Sequence, residues 1–284
     1  MISFELTDPV FNKKKTTEYE LSVLLGADSL SYCITDAERR VLSVVKTDLP
    51  ELAAGQGYAD KTETVILRNV ALQQSYRSVN LAIFNGLSTF IPQRLYDPEQ
   101  KAVYLEKMLP IDEHHEIRDE IIPSADARLV YAVPGDVMRV LRTYFSSAVI
   151  KHAATVLLDG YRKTAETEPD ANTGKRVYLH VRSEALQVFF YDDRELIFYN
   201  SFPYSSSKDF IYFVMLVYDQ FGLQADETPV YLSGELMEDS EIYHLIFRYV
   251  RHLHLMPLPG WLHFSEQWSS RPQHRFFDLF CEFV

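Results

Sequence analysis

The sequence predicts an α/β protein of two duplicated halves, each a mixed five-stranded sheet flanked by helices, with a cleft between them. Three observations carry this. A strand–turn–strand–turn–strand pattern occurs twice, at Leu21–Asp36 with Val41–Val45 and at Val177–Asp192 with Leu196–Asn200. In each copy, apolar β-prone runs are split by clusters of Asp, Arg and Glu, which is how a meander reads in sequence. Similarity at such a long internal period reports architecture before it reports chemistry. The second meander is followed by helix, strand with a glycine turn, and helix. Finally, 284 residues at 47% hydrophobic and 24% charged suit two ordinary globular cores of roughly 140 residues each.

Taken in order, Asn12–Lys15 is a solvated lead-in to the first meander. Pro50–Gly55 reads as a weakly helical connection, and Glu63–Val70 mixes apolar and polar residues. Ser78–Phe84, Thr89–Pro92 and Ala102–Leu105 look like short strands or strand-adjacent pieces. Arg128–Pro134 is a buried strand stopped by proline, and Asp136 can cap a helix in which Val137, Val140, Leu141 and Phe145 recur at helical spacing. Val149–Leu158 reads equally as strand or helix. Thr164–Lys175 is polar and apolar-poor, which predicts a surface loop or hinge. The domain boundaries follow: 1–160 for the first half, 161–175 for the hinge, and 176–284 for the second half.

In that second half, Ser205–Asp209 caps an amphipathic helix from about Asp209 to Phe221, with Phe210, Phe213, Val214, Val217 and Phe221 on one face. Thr228–Gly234 is a strand ending at a glycine turn. Glu241–Val250 is a helix with Ile242, Leu245, Ile246 and Tyr249 in register. Phe276–Val284 suits a helix packed across the domain or an alternating strand.

Composition narrows the function. Net charge is −12 with no long basic run, so no nucleic-acid partner is expected, because phosphate backbones are held by clustered Lys and Arg. No apolar stretch reaches the ~20 residues a membrane helix needs, and the N-terminus lacks the basic and apolar regions of a signal peptide. Cys33 and Cys281 sit among apolar neighbours and read as buried hydrophobes rather than a disulfide framework. A cytoplasmic protein is expected. Glycine is scarce, 10 in all, which disfavours phosphate-cradling loops. Tyr and Phe, 18 each, suit strand-rich cores and aromatic contact surfaces. Tyr199 and Tyr204 are the aromatics expected to be most exposed.

The order of meander, helix, strand with glycine turn, and helix resembles one half of an actin-like ATPase of ribonuclease-H-like fold. The whole chain resembles two such halves joined by a hinge. It is similar to the smaller bacterial members that serve pilus assembly and cell division. More narrowly, it resembles a bacterial domain-of-unknown-function family with an actin-like fold. That resemblance implies a nucleotide site where each meander begins Asp-x-Gly, the aspartate holding metal or water and the glycine leaving room for phosphate. Here the two positions carry Gly26-Ala27-Asp28 and His180-Val181-Arg182, so neither matches. The Gly-Gly pair beneath the adenosine is represented by Ser233 and Gly234 within Tyr231–Glu235, with one glycine left. The resemblance places any ligand against Gly26, Asp28, Ser29, His180, Arg182, Ser183, Ser233 and Gly234.

Other constellations have blander readings. Asp112–Glu116, Asp-Glu-His-His-Glu, contains metal-ligand chemistry but reads as a charged loop after Pro110. His252 and His254 alternate with Leu253 and Leu255 as on a half-exposed strand, and His244 lies on the preceding helix. Asp28, Asp36 and Asp192 are the only carboxylates near the hairpins that a ribonuclease-H-type nuclease could use, and Asp36 and Asp192 are explained as turn residues. There is no Gly-x-Ser-x-Gly elbow, Walker loop or His-Glu-x-x-His.

The functional reading is a non-catalytic cytoplasmic binding or scaffold protein with degenerate nucleotide motifs. It has no required cofactor, no metal and an unidentified protein partner. The alternative is an ATPase-like switch that holds a nucleotide or phosphorylated metabolite in the cleft through His180 and Arg182. Self-association through an edge strand is a third reading.

Overall fold

Runs of Val, Leu, Ile, Tyr and Phe pair as two antiparallel meanders in the computed structural model, which describes residues 1–51, 57–167, 174–183 and 185–284. The first half contains β1 (Ile2–Thr7), β2 (Glu20–Leu25), β3 (Ser29–Thr35), β4 (Val41–Asp48), β5 (Ser78–Ile83) and β9 (Val149–His152), in the order β1-β4-β3-β2-β5-β9. The second contains β10 (Lys175–Val181), β11 (Ala185–Asp192), β12 (Glu195–Pro203), β13 (Val230–Gly234) and β14 (Leu253–Leu255), in the order β12-β11-β10-β13-β14. Setting aside β1, which adds an edge strand beside β4, the two sheets share one topology. The meander strands are antiparallel, β2 runs parallel to β5 and β5 to β9, and β10 runs parallel to β13 and β13 to β14. The duplication read from the meanders therefore extends to the parallel strands.

Helices join the parallel strands as the helical spacing requires. The Ser206 hydroxyl accepts from the Asp209 amide at 3.2 Å and starts α5 (Ser207–Gln220), while Ser240 does the same for Tyr243 at the head of α6 (Glu241–Tyr249). Earlier, α1 (Tyr58–Arg68) covers most of the mixed stretch Glu63–Val70. The connection at Pro50–Gly55 lies outside the described residues after Glu51. Ala102–Leu105 forms not a strand but part of the short helix α2 (Val103–Glu106). In four residues the two periods cannot be told apart.

Between β5 and α3 (Gly135–Tyr144) lies a third, antiparallel sheet that sequence did not predict as a unit, in the order β6-β8-β7 from β6 (Ser88–Pro92), β7 (His115–Ile122) and β8 (Ala127–Pro134). Asp136 sits inside the first turn of α3 rather than before it, its carboxylate accepting from the Val137 amide. The run that read as strand or helix is both: β9 ends at His152 and α4 (Ala153–Thr167) starts at the next residue. The helix also takes the first four residues of the polar stretch Thr164–Lys175, while 168–173 lie outside the described residues.

The Phe276–Val284 segment is helical, α7 (Phe277–Cys281), and packs on α4, β2 and β3 of the first half. Its Phe277, Leu279, Phe280 and Cys281 join a single core containing Leu21, Val23 and Ile34 from the first sheet and Tyr178, Phe189 and Tyr191 from the second. At the crossing, Gly160 of α4 lies so close to Cys281 that an added Cβ would sit 2.0 Å from the sulfur. Cys33 and Cys281 are both free and buried. Tyr199 and Tyr204 are half-buried instead of exposed, since their hydroxyls bond Gln187 at 3.0 Å and the Arg182 carbonyl at 2.6 Å.

His152 turns the junction of β9 and α4 into a pH-sensitive joint. Burial pushes its pKa down to about 4, outweighing the Asn85 carbonyl near Nε2. Nδ1 accepts from the Ala154 amide at 3.1 Å, so protonation would set two donors against each other at a helix N-terminus. The unfolded chain takes up this proton near pH 6.5 and the folded chain only near 4. Stability is therefore lost as pH falls between those values, by roughly 3 kcal/mol from this group. Denaturant unfolding from pH 7 to 4 is expected to fall less steeply for His152→Gln than for wild type, and parallel curves would remove His152 from the account.

Candidate functional site

The turns between β2 and β3 and between β10 and β11 face each other from the two halves, and they bring the resemblance-derived residues together. His180 is the penultimate residue of β10, Ser233 the penultimate residue of β13, and the parallel register places them side by side. Gly234 pairs with Val181, and its φ of +92° with the Val181 carbonyl 2.1 Å from a would-be Cβ admits only glycine. That close approach lets Ser233 Oγ reach His180 Nδ1 at 2.9 Å.

Asp278 on α7, which sequence reading did not single out, completes the site. Its Oδ2 lies 3.0 Å from His180 Nε2 and 2.7 Å from Arg182 Nη2, and all three residues are buried. The Arg182 guanidinium also covers the Phe84 ring of the first half at 4.3 Å. The signal available in sequence was the lone acid in Phe276-Phe-Asp-Leu-Phe: a carboxylate in so apolar a run must be exposed or paired.

Burial pushes His180 below its ordinary value, which keeps the imidazole neutral. The network then assigns the proton to Nε2, donating to Asp278, while Nδ1 accepts from the Ser233 hydroxyl. Tyr161 OH lies 3.2 Å from the same hydroxyl. Burial alone would raise the Asp278 carboxyl, but the His180 ring and the Arg182 guanidinium outweigh it and hold it well below the usual carboxylate range. A buried ion pair, Arg182–Asp278, thus sits where the second hairpin begins.

Ser233, His180 and Asp278 have the connectivity of a hydrolytic triad, but not its access. Ser233 is 0% exposed. The enclosed space against His180, Arg182, Asp278, Lys46 and Glu235 is about 10 Å³, room for one water molecule and no scissile group. Arg182 also neutralises the carboxylate that a triad needs to support an imidazolium.

The first hairpin closes on the second. Asp28 stands at its exposed tip, and although burial opposes ionisation, bonds from Ser183 and Ser29 hold its carboxyl below the ordinary value. Ser29 Oγ lies 2.9 Å from Asp28, and the Gly26 carbonyl accepts from Tyr58 OH at 2.5 Å. Lys46 of β4 pairs with Glu235, just past β13, at 2.5 Å, bridging the halves with a second buried cation. All eight expected positions, Gly26, Asp28, Ser29, His180, Arg182, Ser183, Ser233 and Gly234, lie on these facing turns and strand ends.

The remaining constellations disperse. In the Asp112–Glu116 run, His115 Nδ1 bonds Asp112 at 2.8 Å and Glu116 pairs with Arg142 and Arg118. His244 and His252 are exposed, and His254 stacks on Tyr231 at 5.2 Å. Asp36 accepts from the Glu38 and Arg40 amides as a turn residue does. Among the described residues, no group of three or more His, Cys, Asp or Glu side chains is placed to hold a metal ion, and no helix is long and apolar enough to cross a membrane.

Comparisons with known proteins agree with this architecture. Residues 8–253 match a family described as a protein of unknown function, DUF3822. No curated protein matches the chain. Among solved structures, it resembles a protein of Bacteroides thetaiotaomicron VPI-5482 with an actin-like ATPase fold and unknown function, at TM-score 0.77 and 18% identity, over 97% of this chain and 99% of that one. It also resembles a chain of the PilM–PilN type IV pilus biogenesis complex, at TM-score 0.62 and 12% identity over 94% and 97% of the two chains. A third likeness is to the ethanolamine utilization protein EutJ of Carboxydothermus hydrogenoformans, at 0.53 and 8% over 97% and 91%. At these identities the likeness is one of fold: two actin-like halves.

Proposed function

This chain belongs to the DUF3822 family, and we propose that it is a non-catalytic member of the actin-like fold, a cytoplasmic binding or scaffold component whose nucleotide motifs are degenerate. The observation that carries the reading is the Arg182–Asp278 pair. In it the protein's own carboxylate takes the place a phosphate oxygen would need, and the cations that could attract an anion, Arg182 and Lys46, are already paired with Asp278 and Glu235. The residues present do not fit a nucleotide phosphate with magnesium. Arg182 fills the space that a glycine would leave, the free volume is about 10 Å³, and the one outward carboxylate, Asp28, is bonded to Ser29. The same facts weigh against a phosphometabolite switch through His180 and Arg182, since both already donate to Asp278.

A protein partner is supported by the outer helices of the second half. Tyr212 and Leu216, one turn apart on α5, and Phe247 and Tyr249 on the adjoining α6 remain exposed. One structural relative is part of a complex named for two proteins, PilM and PilN.

Thermal unfolding with ATP, ADP and GTP, each with and without magnesium, tests the reading. A ligand at a hundred times its dissociation constant adds about 2.7 kcal/mol, and no nucleotide is expected to raise the midpoint. A magnesium-dependent rise would show that the hairpins still grip phosphate and would overturn the proposal.

A further inference from the structure

At the other end of β10, six residues and about 20 Å from Arg182, lies a second and much larger cavity. Its volume is about 970 Å³, within the range of small-molecule sites, and Arg176, Tyr178, Tyr191, Tyr161, Ala165 and Pro123 are among the residues that line it. It draws on both halves: Pro123 follows β7, Tyr161 and Ala165 are on α4, and the others are on β10 and β11.

Two groups on its floor are only partly satisfied among the described residues. Arg176 is 3% exposed, yet its guanidinium meets only the Tyr178 hydroxyl at 3.2 Å, the Gly174 carbonyl at 3.3 Å and the Tyr191 ring at 5.4 Å, with no carboxylate among the described residues. Tyr191 is 4% exposed, and its hydroxyl has no hydrogen-bond partner among the described residues. Among the described residues, the buried cation has no counter-charge and the buried hydroxyl no partner, and both conditions are costly. Here they border one ligand-sized space, walled by tyrosine rings, with Ser124 and the exposed carboxylates of Glu166 and Asp193 also on its lining. Arg162 and Arg194 stand exposed at its margin, Arg162 paired with Glu166.

We propose that this cavity binds a small oxyanion, a carboxylate or phosphate monoester, carried on a flat apolar body. The anion pairs with the Arg176 fork and accepts from Tyr191 OH, while the body lies among the tyrosine rings. A planar fork with a neighbouring donor recognises two oxygens of one group. The proposal is independent of the closed hairpin site.

Calorimetric titration of the full chain with phenyl phosphate and with benzoate tests it, with inorganic phosphate and phenol as the head and the body alone. Saturable binding of phenyl phosphate or benzoate, tighter than either fragment, is expected, and the stronger of the two identifies the anion. Arg176→Gln should weaken binding about tenfold or more, and Arg176→Lys, which keeps charge but loses the fork, should also weaken it if the glutamine variant fails to fold. Tyr191→Phe should weaken binding without lowering the melting midpoint of the ligand-free protein, because the hydroxyl it removes has no partner to lose among the described residues. Absence of binding at millimolar probe, affinity unchanged by the Arg176 variants, or a lower ligand-free midpoint for Tyr191→Phe would each overturn the proposal.

Discussion

Asp278→Asn is expected to be among the most damaging isosteric changes in the molecule, costing about 3–5 kcal/mol and lowering the melting midpoint by roughly 10 °C. The side chain keeps its shape and can still accept from His180, so packing is not what is lost. What is lost is the counter-charge of an arginine whose side chain is 9% exposed. The Phe84 ring at 4.3 Å offsets only about 1–2 kcal/mol of that. Arg182→Met with Asp278→Leu, which replaces the pair by apolar groups, is expected to be milder than Asp278→Asn alone, because neither charge is left stranded. A double-mutant cycle by denaturant unfolding measures the coupling. If Asp278→Asn costs under 1 kcal/mol, as an exposed ion pair would, the buried pair does not close the site.

Gly234→Ala is expected to cost about 3 kcal/mol or more, from two sources that add. Its φ of +92° strains any residue with a Cβ, and the methyl group would lie 2.1 Å from the Val181 carbonyl and 2.9 Å from the Val181 nitrogen. Both obstacles are backbone, so β10 and β13 must separate, and Ser233 must then leave His180. Gly222 supplies the control, since its φ is +59° but nothing lies within 4 Å of a would-be Cβ. Gly222→Ala should cost only about 1–2 kcal/mol from the left-handed backbone. Chemical denaturation of both variants separates strain from collision. Equal losses would mean that the approach of Gly234 to β10 carries no energy of its own.

Much of the architecture was legible because it rests on local patterns. The two meanders announce themselves by β-prone runs broken at turns, α5 by its serine cap and apolar face, and β8 by the proline at its end. The misses have equally local causes. Ala102–Leu105 is too short to show a period, and Glu63–Val70, which α1 overlaps, mixes apolar and polar residues. The β6-β8-β7 sheet pairs strands separated by long, irregular connections, so no single stretch of sequence reports it. At the site, His180, Arg182, Ser233 and Gly234 were found through a family resemblance at the hairpin positions. Asp278 was not, because its partners lie 98 and 96 residues away. The cavity at Arg176 was invisible for the same reason: nothing in Lys175-Arg-Val-Tyr178 says that the arginine is buried with no carboxylate beside it among the described residues.

By itself, the sequence determined the strands of the two meanders, the buried face of α5, that the fold is built twice, and that neither hairpin carries Asp-x-Gly. Those properties depend on side-chain period and on the identity of single residues, and both can be read along the chain. Only the tertiary structure decided that the hairpins meet, that Asp278 neutralises Arg182 between them, and that the free space there is about 10 Å³ while that beside Arg176 is about 970 Å³. Charge compensation and cavity size are properties of surfaces brought together from distant parts of the chain, so they exist only once α7 has packed across the first half and the two sheets share a core.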